Sequence, residues 1–196
     1  MKIYFAAAAA IAVLASAPAH AVSVMSAGQT VQEDCFRAAQ SQARAPLSQR
    51  SLANGIAACN VALTGDMSQL ARAGTLVNRG ILEAAAGNDD AAITDFNAGL
   101  ARDHNLAAGY MNRGAALLRA ARYDQARADF DRAIALGTTD LHVAYFNRGE
   151  AQEASGNLLA AYHDYRKAQE LAPDFKPASL ELARFQVTER RIADIR

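Results

Sequence analysis

The side chains of this sequence that could do chemistry are its histidines, its cysteines and a few carboxylates. His104, His142 and His163 each stand alone, because no second metal ligand lies at helical spacing from them. The pair Asp89-Asp90 follows Gly87-Asn88 and is typical of a helix start, where carboxylates are favoured near the positive helix end. The sequence has no metalloprotease motif, no phosphate-binding glycine loop and no Gly-x-Ser-x-Gly elbow. We therefore predict no catalytic residue, no metal site and no cofactor.

The chain begins with the features of a secretory signal peptide. Lys2 gives a positive start, residues 3–14 form an unbroken apolar run, and Ala19-His20-Ala21 is a small-x-small cleavage site. The apolar run is too short for a membrane-spanning helix, and a retained N-terminal anchor is the alternative. We predict a signal peptide over residues 1–21, cut near Ala21, and delivery of the remaining chain to the periplasm.

Two cysteines follow the predicted cleavage site, and a redox pair, a metal site and a disulfide are the alternatives for them. Cys35 and Cys59 are 24 residues apart, and their midpoint falls beside Pro46 in a predicted break between two helices. Residues equidistant from the break of an antiparallel hairpin face each other, and an exported protein favours a disulfide. The sequence therefore predicts a structural disulfide, which for a loop of this length stabilises by about 3 to 4 kcal/mol.

The elements that would position these residues repeat along the chain. The tripeptide Asn-Arg-Gly occurs three times, with its glycines 34 and then 35 residues apart. An alanine, an aspartate and an aromatic ring follow each glycine after 12, 15 and 16 residues. The glycine and ring pairs are Gly80 with Phe96, Gly114 with Phe130, and Gly149 with Tyr165. This period predicts stacked helix hairpins with short breaks at residues 87–89, 121–123 and 156–158.

Each predicted hairpin places its ring opposite its glycine, because the missing side chain lets the two helices approach closely. One hairpin cannot bury its own apolar face, so each must stack on the next. Residues 178–195 read as a further helix with apolar Leu180, Leu182 and Phe185 and a charged face, as a cap requires. Residues 22–66 are predicted to hold a divergent hairpin at the other end.

These columns resemble the tetratricopeptide repeat, whose units of about 34 residues carry an aromatic or Leu, then Gly, Ala, an aromatic, Ala and Pro. The resemblance covers Gly74 to Pro173, with Gly99 in place of one late alanine and a final proline in the third unit alone. It implies an all-α fold, a right-handed α-solenoid of antiparallel helix hairpins. The implied divisions are a signal peptide at 1–21, the divergent hairpin at 22–66, three repeats at 67–175 and a C-terminal capping helix at 176–196.

The resemblance also implies a binding surface, because the family's first helices line a groove that holds an extended or helical segment of a partner. The groove-facing places of the family fall on nine residues of this chain: Val77, Asn78, Ile81, Met111, Asn112, Leu118, Phe146, Asn147 and Glu150. Some relatives bind a C-terminal carboxylate with paired lysines in this groove, and those lysines are missing here. The alternative is that Met111 and Phe146 pack only against the next helix or the cap.

The polar residues of the repeated tripeptide carry two further predictions. Each arginine precedes an aspartate by 16 residues, so the hairpin register predicts the ion pairs Arg79–Asp95, Arg113–Asp129 and Arg148–Asp164. The asparagines recur once per unit and should form a row along the groove. A carboxamide donates and accepts hydrogen bonds, so this row could hold the backbone of an extended peptide. The alternative is that the asparagines only bond a neighbouring helix.

The composition narrows the choice of partner. The chain carries 20 Lys and Arg residues against 20 Asp and Glu residues, and nucleic acid or anionic lipid would require a basic patch. We predict a non-enzymatic protein–protein interaction module of the bacterial cell envelope, with no nucleic acid bound and no membrane insertion. The alternative is a self-associating structural subunit, a homo-oligomer, of an envelope assembly. Fold resemblance does not name the partner.

Overall fold

The computed structural model describes residues 29–193, with side chains described for residues 31–185. The predicted signal peptide at 1–21 lies outside the described residues. Within residues 29–193 all regular structure is helical, and the nine helices are α1 (Gln29–Arg44), α2 (Gln49–Thr64), α3 (Gln69–Ala85), α4 (Asp89–Leu100), α5 (Ala107–Arg119), α6 (Tyr123–Ala135), α7 (Leu141–Ala154), α8 (Leu158–Leu171) and α9 (Lys176–Ala193).

Consecutive helices pair into four hairpins, α1–α2, α3–α4, α5–α6 and α7–α8, and each hairpin packs against the next. Helix α1 also packs against α3, and α9 packs against α8 at the other end. No hairpin of this size buries an apolar face by itself, so the stacking supplies the core. The predicted all-α solenoid is confirmed.

The three regular hairpins turn at the predicted breaks with the same backbone device. The second residue after each first helix has a positive φ: Gly87 at 87°, Ala121 at 56° and Gly156 at 84°. The next backbone N–H then donates back into the last turn, as from Asn88 to the carbonyl of Glu83 at 2.9 Å. This is the Schellman ending of a helix, and it aims the chain directly into the second helix.

The glycines face the aromatic rings, as the register predicted. A Cβ atom placed on Gly80 would lie 2.7 Å from Cε1 of Phe96, and one on Gly114 would lie 2.8 Å from Cε1 of Phe130. Gly149 has the same relation to Cε1 of Tyr165, also at 2.8 Å. These separations are too short for any side chain beyond hydrogen, so the glycines set the spacing of the two helices.

The core changes in character along the solenoid. From α1 to α7 it is built mainly of alanines and aliphatic side chains, with Phe96 and Phe130 at its centre. A second cluster, towards α9, is built around Phe146 and Tyr165 and includes Ala178 and Leu182 of α9. Aromatic rings therefore form the core at the C-terminal end of the solenoid.

The capping helix buries fewer of its apolar side chains than the sequence pattern predicted. It begins at Lys176, with Pro177 in its first turn, where a missing N–H leaves no helical bond unmade. Ala178 and Leu182 are buried, but Leu180 is 70% exposed. Leu180 therefore does not contribute to the core, although the sequence pattern had counted it among the apolar positions of this helix.

The predicted disulfide between Cys35 and Cys59 is present, with 4.7 Å between the two Cα atoms. Both side chains are completely buried between α1 and α2. Among the described helices, none is long and apolar enough to cross a membrane.

Candidate protein-binding face

Each regular unit contains one arginine that ties three helices together. Arg113 of α5 donates from Nε and Nη2 to the two carboxylate oxygens of Asp129 on α6, both at 2.7 Å. Its Nη1 donates to Oδ1 of Asn97 on α4, in the preceding unit, at 2.7 Å. We call this arrangement the Arg–Asp clasp, and the predicted ion pair is its inner half.

The same clasp recurs in the other two units. Arg79 contacts Asp95 and reaches back to Asn60 on α2, and Arg148 contacts Asp164 and reaches back to Asp131 on α6. The back-reaching contacts were not predicted. They could have been read from the sequence, because Asn60, Asn97 and Asp131 each follow directly after the column of Cys59, Phe96 and Phe130.

The clasps are electrostatically strong because they are partly shielded from water. In the middle unit the side chain of Asp129 is 7% exposed and that of Arg113 is 21% exposed. The hydrogen bonds that Arg113 donates to Asp129 raise the pKa of Arg113, as those that Arg79 donates to Asp95 raise the pKa of Arg79. The guanidinium group of Arg113 also lies over the ring of Tyr110, at 5.5 Å from its centroid. The clasps therefore stabilise the packing of neighbouring units, and their arginine and aspartate side chains are already paired with each other.

Four of the five apolar members of the predicted groove lie inside the core instead of on an open surface. Val77, Ile81, Met111 and Phe146 are all buried. Val77 fills the space beside Gly99, where Cγ2 would lie 3.0 Å from an added Cβ atom. These four side chains therefore pack within the solenoid in this structure, and a contact between them and a partner stays a prediction.

Phe146 shows what covers the last of these positions. Its ring lies edge-on to that of Phe175, which stands just before α9, with the centroids 5.3 Å apart. It also lies 5.4 Å from the ring of Tyr165 on α8. The alternative considered from the sequence, packing against the cap, describes this residue.

The asparagine row runs along α3, α5 and α7 but is increasingly buried. Asn78 is half-buried, Asn112 is buried and Asn147 is 0% exposed. Nδ2 of Asn112 donates to the carbonyl of Ala108 at 2.8 Å, while its Oδ1 is buried without a partner. Both polar side-chain atoms of Asn147 are buried without a partner. Such groups are rare and each costs about 1 to 3 kcal/mol, so the row calls for an explanation.

Of the nine predicted groove residues, three remain partly accessible: Asn78, Leu118 and Glu150. Glu150 lies one turn after Asn147 on α7, and its Oε2 is buried without a partner. Burial, followed by the nearby charges of Glu181 and Glu153, raises the pKa of Glu150 to about 7. At neutral pH this carboxyl is therefore divided between its two protonation states.

Glu150 belongs to a group that we call the carboxylate cluster, which also contains Glu153 of α7 and Glu181 and Arg184 of α9. Nη2 of Arg184 contacts both oxygens of Glu153, at 2.5 and 2.6 Å, and Nε contacts Oε2 of Glu181 at 2.7 Å. The hydroxyl of Tyr165 donates to Glu153 at 2.9 Å. Sequence reasoning missed Glu181 and Arg184 because α9 does not repeat the pattern of the first helices, and it missed Glu153 of α7 because this residue is outside the nine predicted groove positions.

Comparison with known proteins places these features in a class. Residues 142–175 match the sequence profile of the tetratricopeptide repeat. No curated protein matches the chain. Among solved structures, the MamA protein of Desulfovibrio magneticus RS-1 is 20% identical with a TM-score of 0.68, covering 83% of each chain.

Two further structures are tetratricopeptide-repeat (TPR) domains with peptides bound. The second TPR domain of human RPAP3, in complex with the HSP70 peptide SGPTIEEVD, is 28% identical, with a TM-score of 0.57, and covers 61% of this chain and 98% of that one. The first TPR of Spaghetti (RPAP3), bound to the HSP90 peptide SRMEEVD, is 28% identical with the same TM-score, over 61% and 94%.

The fold and its neighbours define the class as an α-solenoid of helix hairpins. More narrowly, residues 142–175 are similar to one tetratricopeptide repeat, and the solved structures that share the fold include tetratricopeptide-repeat domains with peptides bound.

Proposed function

We propose that this protein binds a segment of another protein on the first-helix face, the surface formed by α3, α5 and α7. The observation that carries the proposal is the asparagine row, which leaves carboxamide atoms of Asn112 and Asn147 without partners. A rotation of each side chain towards a bound peptide would supply the missing hydrogen bonds. Similar domains with peptides bound support the proposal.

The ligand differs from those of the RPAP3 domains. Paired lysines that capture a C-terminal carboxylate are absent from the first helices of this sequence. We therefore propose an internal segment of the partner, held through its backbone by the asparagines and bordered by Leu118 and Glu150.

The setting that we propose is the periplasm, with residues 1–21 removed on export. The disulfide between Cys35 and Cys59 supports an oxidising compartment, since such bonds rarely persist in a reducing cytosol. N-terminal sequencing of the protein from a periplasmic fraction should give a start at or near Val22. A chain that retains Met1 in the cytoplasm would contradict the export step.

Site-specific photocrosslinking tests the binding face. A photoreactive residue at Leu118, which is half-buried on α5, should yield an adduct with a second protein. The matched control is the same residue at Arg127, which is exposed on the second helix α6, and it should yield none. An adduct made only of two copies of this chain would instead support a self-associating subunit.

The asparagine row is tested by changing Asn78, Asn112 and Asn147 to alanine together. A binding role predicts that the adduct from Leu118 disappears while the melting temperature stays nearly unchanged, because Asn147 makes no hydrogen bond and Asn112 bonds only Ala108 of its own helix. A structural role predicts several kcal/mol of lost stability, at about 1 to 3 kcal/mol per buried group left unpaired. An early melting variant, or a stable one that still forms the adduct, would exclude the row as the binding site.

A further inference from the structure

The carboxylate cluster lies beside Asn147, at the end of the asparagine row where α7 meets α9. Arg184 satisfies Glu153 and Glu181, and Tyr165 adds a hydrogen bond to Glu153. Glu150 receives nothing at Oε2, although that atom is buried. One guanidinium group thus serves two of three carboxylates, and the third lacks a donor.

A second observation points to the same place. Asn147 is 0% exposed, and neither its Oδ1 nor its Nδ2 has a partner. Residues three apart on a helix share a face, so the carboxamide of Asn147 and the carboxyl of Glu150 are neighbours along α7. Two oxygen acceptors without donors therefore stand side by side, and they match a group that carries several N–H donors and a positive charge.

We propose that this end of the first-helix face binds a cationic side chain, arginine or lysine, of the partner segment. The inference rests on the proposed function and states the charge of its ligand. A guanidinium or ammonium group would donate to Oε2 of Glu150 and to Oδ1 of Asn147 once they turn towards it. Glu181 and Glu153 would add attraction, and Arg184 would turn partly to solvent, where its side chain is already 53% exposed.

The ligand charge is opposite to that in the similar domains. The peptides SRMEEVD and SGPTIEEVD end in acidic residues. Here three carboxylates stand with Arg184 where α7 meets α9, so an acidic peptide would be repelled and a basic one attracted. The same fold would then select the opposite class of segment.

Binding can be tested with short blocked peptides on the purified chain labelled with ¹⁵N. The probe is a Gly- and Ser-rich peptide with one central arginine, compared with the same peptide carrying citrulline, which keeps the shape without the charge, and with one carrying glutamate. We expect the arginine peptide to shift the side-chain amide signal of Asn147 and backbone signals of residues 147–153 and 181–184. The citrulline peptide should bind about tenfold more weakly.

The variant Glu150→Gln keeps the size of the side chain and removes its charge, so it should weaken the arginine peptide about five- to tenfold. The control is Glu83→Gln on α3, whose carboxylate accepts from Asn88 outside the cluster, and it should change nothing. Equal affinity for arginine and citrulline peptides, an unchanged affinity of Glu150→Gln, or no binding up to about 1 mM would each overturn the inference. A retained crosslink from Leu118 would show that the proposed function survives such a result.

Discussion

The two ends of the solenoid are closed by different chemistry. At the N-terminal end a disulfide joins Cys35 to Cys59, and Cys59 stands in the sequence column that holds an aromatic ring in the regular units. At the C-terminal end α9 is held by aromatic rings and by the carboxylate cluster. One closure depends on oxidation and the other on protonation, so the same scaffold responds to two different conditions at its two ends.

The largest effect is expected at the N-terminal end. Changing Cys35 and Cys59 to serine removes a cross-link over 24 residues and should lower the free energy of unfolding by about 3 to 4 kcal/mol. Because solenoid units contact only their neighbours, α1 and α2 should lose hydrogen-exchange protection while α5 to α8 keep theirs. A reducing agent should destabilise the native chain and leave the double variant unchanged. Equal loss of protection in every helix would contradict this local view.

The opposite end should respond to pH. The folded chain holds the pKa of Glu150 near 7, above its ordinary value of 4.5, so folding favours the protonated form. The stability that it contributes is therefore complete below about pH 4.5 and is lost as the pH rises through about 7. Between these pH values the free energy of unfolding should fall by about 2 kcal/mol, a figure reduced because the side chain of Glu150 is partly exposed.

Glu150→Gln tests this dependence. The variant should melt at nearly the same temperature as the native chain in acid and at a higher temperature above neutral pH. Protection should change first in α9, because Glu181 and Arg184 belong to the same cluster. If the native chain and the variant have parallel pH profiles, Glu150 does not control this end.

The middle of the solenoid should respond to neither condition but should be sensitive to volume. Gly114→Leu places a side chain where a Cβ atom alone would lie 2.8 Å from Phe130, and overpacking costs about 1 to 3 kcal/mol or more. The matched control is Gly74→Leu on α3, where nothing lies within 4 Å of the added Cβ atom. An unchanged melting temperature of Gly114→Leu would refute the close contact.

The Arg–Asp clasp should contribute less. Arg113→Ala leaves the nearly buried carboxylate of Asp129 without its partner and should cost about 1 to 2 kcal/mol. Combined with Asp129→Ala in a double-mutant cycle, it should show a coupling energy of about 1 kcal/mol. The exposed pair Arg127 and Asp124, 3.7 Å apart, should show almost none. Strict additivity in both cycles would show that the clasp does not stabilise the middle units.

The smallest effect is expected at the turn of the middle unit. Ala121 has a φ of 56°, whereas glycines occupy the matching places at Gly87 and Gly156. Ala121→Gly should therefore stabilise by about 0.5 to 1 kcal/mol in thermal unfolding. Ala120→Gly, one residue earlier with φ at −77°, should destabilise instead.

The sequence allowed the hairpin register to be predicted because it repeats. Gly114 facing Phe130 and Arg113 contacting Asp129 both follow from a count of residues around the break. The accessibility of the groove could not be predicted in this way. The solvent exposure of Met111 and Phe146 depends on how closely the neighbouring helices pack over them. That packing depends on small residues such as Gly99 and on the capping helix.

The carboxylate cluster was missed for a related reason. Glu181 and Arg184 lie on α9, which has no equivalent in the repeat, so no column of residues pointed to them. Glu150 was singled out by its place in the family pattern, but its unpaired oxygen becomes visible only when α9 is packed beside it.

The back-reaching arm of the Arg–Asp clasp gives the solenoid a direction. Arg79, Arg113 and Arg148 each take their outer partner from the unit before, never from the unit after. A chain shortened from its C-terminal side after α6 would keep the clasps of Arg79 and Arg113 whole. A chain shortened from its N-terminal side to begin at α3 would leave Arg79 without Asn60. During synthesis from the N-terminus, the outer partner of each arginine is therefore made before the arginine itself. Each new hairpin can form its clasp with a hairpin that already exists.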